Sequence, residues 1–248
     1  MGQVRRYGLI GFPLSHSFSG SYFHTKFEKE KRTDCRYDLF PIENISHLPS
    51  LLQEYPELCG LNVTIPYKEQ VLPYLNELSD AVREIGACNC IRISNGKLEG
   101  HNTDVVGFEN TLIPLLKSHH HSALILGTGG AAKAVAWVLK KRGISYWYVS
   151  RKSSPETMTY LDCSKDFLAS TFLVINTTPL GMYPQIDIAP ELNYHAIGNQ
   201  HVLIDLIYNP SRTLFMKKGE ERGAVVENGL KMLEIQADES WKIWQQNQ

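Results

Sequence analysis

Short apolar runs alternate with stretches of helical period along this chain of 248 residues. In the first third, Tyr7 to Gly11, Tyr37 to Pro41 and Leu61 to Ile65 read as strands. Between them the period changes. Tyr22, Phe23 and Phe27 fall on one face of a helix expected from about Ser19 to Glu30, and Leu48 to Tyr55 reads as a second. Asp80 to Ile85 is a short helix stopped by Gly86. Cys90 to Ile93 and Lys97 to Gly100 flank Asn95-Gly96, a strong hairpin signal. A helix from about Val106 to Leu116 leads to a second series. Its strands are Ser122 to Leu126, Tyr146 to Val149, Leu173 to Asn176, Val202 to Asp205 and a short Val225-Val226. A helix from about Ala131 to Arg142 separates the first two of these strands. In the last helix Leu230, Leu233, Ala237, Trp241 and Trp244 make one apolar stripe. Strands alternating with helices predict an α/β open sheet.

The segment Asn62-Val63-Thr64-Ile65-Pro66-Tyr67-Lys68 carries the first candidate chemistry. Pro66 has no N–H for a ladder, so pairing is expected to close at Ile65. Proline also suits the first position of a helix, which puts Lys68 in the first turn, where the helix field disfavours a cation. A lysine so placed is a candidate general acid/base. A lone lysine opening a helix is ordinarily a surface residue, so the reading needs a partner. Asp104 is the candidate. A carboxylate there would hold the ammonium in place, unless Asp104 only caps the helix near Val106. Asn62, Thr64 and Asn89 are neutral hydrogen-bonders suited to sugar-like hydroxyls. Ser15 and Ser17 precede a helix start and suit a small carboxylate, although N-capping serines are common.

The second candidate site is Gly127-Thr128-Gly129-Gly130-Ala131-Ala132, a G-x-G-x-x-A between a strand and a helix. Gly127 permits the tight turn and Gly129 lets a pyrophosphate approach the backbone. Ala132 permits close helix–strand packing. Dinucleotide binding is therefore expected. The next strand ends in Ser150-Arg151-Lys152-Ser153, with no carboxylate to grip a ribose. Two cations suit a 2′-phosphate, so NADP(H) is preferred over NAD.

Composition narrows the field. Apolar residues make up 43% and charged residues 21%, as in a soluble globular protein. Net charge is −1 without a basic block, so nucleic acid is not expected as a partner. No apolar run reaches membrane-spanning length. The start shows no signal-peptide core, and Arg6 stands where myristoylation wants Ser or Thr, while the scattered cysteines make a reducing cytoplasm the expected location. Five cysteines at scattered spacings argue against a disulfide framework. Cys88 and Cys90, if extended, share a face as buried filler. His119-His120-His121 is expected in a solvated loop, and no metal site is expected.

Together these segments resemble the shikimate dehydrogenase family over nearly the whole chain, in order. Gly11 to Ser17, Asn62 to Lys68, Gly86 to Cys90, Gly100 to Asp104 and the Gly127 loop match its motifs. So do Asn176-Thr177-Thr178-Pro179-Leu180-Gly181-Met182, Asp205 to Pro210 and Gly229 to Ala237. The resemblance implies two domains. Residues 1–104 with 229–248 would form an α/β substrate domain, and residues 105–228 a Rossmann-type NADP-binding domain, with the last helix returning to the first. It implies reversible reduction of 3-dehydroshikimate to shikimate by NADPH, in the pathway to aromatic amino acids. Lys68 and Asp104 would do the proton work. Ser15, Ser17, Asn62, Thr64, Asn89, Tyr208 and Gln236 would meet substrate. Gly127 to Ala131, Ser150, Arg151, Lys152, Asn176, Thr177, Thr178 and Gly229 would meet cofactor. The family spans monomers and dimers.

Where the family often has N-R-T-x-x-R, this chain has Ser150-Arg151-Lys152 and a proline, Pro155, at the second arginine. Residues 153–171 are short for a helix–strand–helix unit, so a trimmed half with a strand near Thr159 to Leu161 is expected. Two other readings fit parts of the pattern: an NAD-dependent quinate/shikimate dehydrogenase, and a catalytically weak nucleotide- or metabolite-binding protein. The missing carboxylate near Ser150 opposes the first, and intact Lys68 and Asp104 oppose the second.

Overall fold

The computed structural model describes residues 4–14 and 18–246. The chain divides into two compact units, Met1–Val106 with Glu234–Gln248, and Gly107–Leu233. The division falls two residues beyond the expected boundary at Asp104 and, at the return, within the last helix, not at its start.

The first unit runs β1 (Arg5–Gly11), α1 (Phe18–Lys29), β2 (Cys35–Pro41), α2 (Leu48–Glu54), β3 (Leu58–Val63) and α3 (Tyr67–Gln70). It continues with β4 (Glu77–Leu78), α4 (Asp80–Ile85), β5 (Cys90–Ser94), β6 (Lys97–His101) and the start of α5 (Asp104–Leu112). The sheet order is β2-β1-β3-β5-β6-β4. β1, β2 and β3 are mutually parallel, and the β5–β6 hairpin joins antiparallel to β3. Asn95 and Gly96 turn that hairpin with φ of 51° and 74°, the double positive φ of a type I′ turn.

Alternation along the strands sends side chains to two cores. Ile10, Leu61 and Ile91 pack with Leu48, Tyr67 and Val82 on one face. Tyr7 and Cys90 pack with Phe23, Phe27, Ala237, Trp241 and Trp244 on the other. Cys88 joins the first core and Cys90 the second, so the two thiols do not share a face. Cys88 precedes β5, where the period of two does not yet apply. Burial pushes the Cys88 thiol up to about 12, which keeps it unreactive.

The helix expected from about Val106 to Leu116 ends early, at Leu112. Pro73 and Pro114 each tighten the chain into a 3-10 turn, at Leu72–Tyr74 and Ile113–Leu115, because proline cannot donate the next helical bond. β3 also closes early, at Val63 instead of Ile65, and Ile65 is 74% exposed.

The second unit contains β7 (Ser122–Leu126), α6 (Gly130–Lys141), β8 (Ser145–Ser150), β9 (Thr157–Thr159), α7 (Lys165–Ser170) and β10 (Leu173–Asn176). Next come β11 (Val202–Asp205), α8 (Leu214–Glu220), β12 (Val225–Glu227) and α9 (Leu230–Trp244), which runs on into the first unit. All six strands are parallel, in the order β12-β11-β10-β7-β8-β9. Counted within the unit this is 3-2-1-4-5-6 reversed, the doubly wound order of a dinucleotide fold. The trimming expected after β8 is real. Only residues 151–156 join β8 to β9, with no helix between them, and β9 lies at Thr157–Thr159.

Burial of the α9 stripe fades toward the start of the helix, where Leu233 is half-buried. Ala237, Trp241 and Trp244 are buried, whereas Leu230 is 39% exposed. The histidine run lies in a loop, as expected, but only His121 of the three is exposed. His120 is buried; its Nδ1 accepts the Lys117 N–H at 3.0 Å and its Nε2 meets the Gln200 carbonyl at 3.1 Å. Phe172 stacks edge-on against His119 and His201, so an aromatic neighbour distant in sequence covers one side of His119. No cluster of His, Cys, Asp and Glu among the described residues is arranged to hold a metal.

Candidate active site

Lys68 and Asp104 meet. Lys68 Nζ lies 2.6 Å from Asp104 Oδ2, in a pair largely withdrawn from solvent, with side-chain exposures of 18% and 9%. Lys68 sits in α3, which is one turn long and so carries little macrodipole. The electrostatic neighbour that dominates the ammonium is therefore the carboxylate, not the helix end. Pro66 stands just before the helix instead of at its first position. Asp104 opens α5, but its carboxylate is engaged across the unit.

Asn89 holds the other oxygen. Its Nδ2 donates to Asp104 Oδ1 at 2.8 Å and to Thr103 Oγ1 at 3.0 Å. Its Oδ1 accepts the Thr103 N–H at 2.6 Å, which fixes the amide with its NH₂ toward the carboxylate. Asp104 thus has one oxygen for the lysine and one for the asparagine. A buried carboxylate so supplied with donors is held in one orientation.

Behind this pair lies a polar layer that no sequence pattern announced. Thr103 and Ser240 are buried, and their hydroxyl oxygens are 3.3 Å apart. Ser240 Oγ accepts from Asn62 Nδ2 at 2.9 Å and donates to the Gln236 carbonyl four residues earlier in α9. Tyr37 donates from its hydroxyl to Asn62 Oδ1 at 2.9 Å. Gln236 Oε1 accepts from Thr103 Oγ1 at 3.3 Å. The only advance signal was position: Ser240 is one helical turn beyond Gln236, and Thr103 adjoins Asp104.

Asn62 and Thr64 behave differently. Asn62 is buried, its NH₂ donating to Ser240 and to the Asn89 carbonyl and its oxygen accepting from Tyr37. Its amide is spent on joining β2, β3 and α9. Thr64 lies past the end of β3, half-buried, with its N–H on the Ile10 carbonyl. A Cβ on Gly11 would come 2.4 Å from Thr64 Cγ2, so glycine there makes room for the threonine. Ser15 and Ser17 lie outside the described residues.

In the second unit the glycine loop follows β7. Gly127 has φ 110°, a conformation that suits glycine alone. A Cβ on Gly129 would meet nothing within 4 Å, so the backbone at the head of α6 is open to an approaching group. Thr128 is exposed, and Gly130 and Ala131 form the first turn of α6. Ser150 ends β8, and Arg151 and Lys152 stand exposed after it. A backbone cradle, two cations and no carboxylate at that strand end fit a phosphorylated dinucleotide.

The loop after β10 packs against the cradle. Thr177 donates both its N–H, at 2.9 Å, and its hydroxyl, at 2.7 Å, to the Leu126 carbonyl. Asn176 is fully buried and accepts from the Thr178 hydroxyl at 2.6 Å. Its side chain braces the loop instead of facing outward. Tyr208 is half-buried, and burial pushes its hydroxyl upward. Gly229 meets backbone of this chain: a Cβ there would lie 2.1 Å from the Leu206 carbonyl oxygen.

A family model described as the shikimate dehydrogenase substrate binding domain matches residues 9–91. A shikimate dehydrogenase (NADP(+)) from Clostridium beijerinckii is 41% identical over 255 residues, covering 98% of this chain and 92% of that protein. Among solved structures, a chorismate mutase/shikimate 5-dehydrogenase fusion protein from Clostridium acetobutylicum superposes with a TM-score of 0.86 at 34% identity, over 99% of this chain and 92% of that one. Shikimate 5-dehydrogenase from Thermus thermophilus, solved with NADP(H) and shikimate, gives 0.83 at 28% identity, over 97% and 93%.

Proposed function

The chain belongs to the shikimate dehydrogenase family, and we propose that it catalyses the NADPH-dependent, reversible reduction of 3-dehydroshikimate to shikimate. The observation that carries the reading is the buried Lys68–Asp104 pair with Asn89 on its second oxygen. In the direction of reduction, Lys68 Nζ gives its proton to the oxygen at C3; in reverse it takes that proton back. Asp104 holds the ammonium throughout and accepts a ring hydroxyl. Asn89 keeps Asp104 oriented, and Gln236 and Thr64 serve the substrate hydroxyls. Ser15 and Ser17 belong to the carboxylate of the substrate on the family pattern. Asn62 contributes from behind, by holding Ser240 and the Asn89 backbone.

NADPH supplies the hydride when bound at the second unit. Residues Gly127 to Ala131 would receive its pyrophosphate, and Arg151 and Lys152 its 2′-phosphate. Thr177 and Thr178 form a wall of that crevice, with Tyr208 and Gly229 at the neighbouring turn. The five cysteines are free thiols, which supports a reducing cytoplasm. Among the described residues no helix is long and apolar enough to cross a membrane. A monomer or a homodimer accords with the family.

Lys68→Ala tests the assignment. Turnover should fall by about a hundredfold or more, while the KM for 3-dehydroshikimate changes by about threefold at most. Circular dichroism should confirm that the variant folds, because it leaves Asp104 buried without its cation. Turnover close to wild type in a folded variant would remove Lys68 from the proton transfer.

A further inference from the structure

Asp205 ends β11 with no exposed surface, and the chemistry above makes no use of it. Its carboxylate has three donors. Asn176 Nδ2 at 3.0 Å and the Ile207 N–H at 3.1 Å reach Oδ1, and Thr213 Oγ1 at 2.6 Å reaches Oδ2. Each donor belongs to a different segment. Asn176 ends β10 and passes the contact on: its Oδ1 accepts the Thr178 N–H at 3.0 Å and the Thr178 hydroxyl at 2.6 Å. Thr178 Oγ1 in turn accepts the Leu180 N–H at 3.3 Å. Ile207 precedes Tyr208, and its carbonyl accepts the Gly229 N–H at 3.0 Å. Thr213 caps α8 by accepting the Met216 N–H.

These segments lie at the carboxyl ends of β10 and β11. β7 and β10 are neighbours that open the two halves of the doubly wound sheet, and a dinucleotide lies across the point where strand order reverses. The loop after β10 touches the glycine turn directly, since a Cβ on Gly127 would lie 2.7 Å from Thr177 Oγ1. An isolated buried carboxylate is costly, whereas one with three donors fixes the direction of every group bound to it.

We infer that Asp205 is a positioning residue for the cofactor crevice. Through Asn176 and Thr178 it sets the wall at residues 177–180, and through Ile207 it sets the turn that carries Tyr208, on the nicotinamide half of the site. This rests on the reading of the second unit as the NADP(H) site.

Asp205→Ala leaves all three donors without their acceptor at once. NADPH affinity, read on the full chain from the fluorescence of NADPH, should weaken about tenfold or more. Asp205→Asn retains an oxygen for Asn176 and Ile207 and should recover most of the affinity. A folded Asp205→Ala that binds NADPH as tightly as wild type overturns the inference. If Asp205→Ala does not fold, Thr178→Val breaks the same chain at its outer link. It should weaken NADPH in the same direction, and wild-type affinity in that variant overturns the inference equally. A wild-type chain that binds NADPH without reducing 3-dehydroshikimate would overturn the proposed reaction while leaving this comparison decisive. One that does not bind NADPH at all would overturn both.

Discussion

Asp205 and Asp104 show how much a carboxylate depends on its donors. Both are buried, yet Asp104 faces an ammonium and Asp205 faces only neutral donors. Desolvation pushes the Asp205 carboxyl up to about 6, with the bonds from Thr213, Ile207 and Asn176 pulling the other way. The sign of the consequence follows from proton counting. Between pH 4 and 6 the folded chain keeps this proton and the unfolded chain loses it, so stability falls as pH rises through that window. The full effect is about 3 kcal/mol. Asp205→Asn has no such proton to lose. Urea unfolding of both chains across pH 4 to 7 should show the variant gaining on wild type as pH rises. A constant difference would refute the shift.

At the scale of the element, two glycines seat α9. Gly229 lets its leading turn cross the Leu206 carbonyl, and Gly60 in β3 receives the indole of Trp244 near its other end. A Cβ on Gly60 would lie 2.3 Å from Trp244 Nε1, and that nitrogen donates to the Ile91 carbonyl at 2.9 Å. Trp244 is fully buried and cannot swing away. Gly60→Ala should therefore cost about 1–3 kcal/mol of stability. It should also lower turnover, because Ser240 and Gln236 ride on the same helix one and two turns away. A thermal midpoint and turnover both equal to wild type would show that α9 is not seated by this contact. The helix periods were legible in the sequence because burial on one side leaves a repeating record. The proline at 114 shortened its helix against that record, and the apolar pattern alone gave it no weight.

In the whole molecule the two halves of the proposed chemistry belong to different units. Lys68 and Arg151 share no hydrogen-bond partner among the described residues. Their effects on cofactor affinity should then be independent. Lys68→Ala should leave NADPH binding unchanged to within about twofold, Arg151→Ala should weaken it about tenfold, and the double variant should match the second. A double variant far weaker than Arg151→Ala would reveal coupling. By itself the sequence determined the two α/β series, the hairpin turn, the glycine cradle, the cations after β8 and the trimmed connection beyond them. Each is a local matter of period, backbone freedom or strand-end chemistry. Only the tertiary structure decided that Lys68 and Asp104, separated by 36 positions, lie 2.6 Å apart. It alone turned Asn62 and Asn176 inward as braces, and it alone recruited Thr103, Ser240, Tyr37 and Asp205. A side chain's partner depends on which strands pair and which helix covers them, and no spacing along the chain encodes that choice.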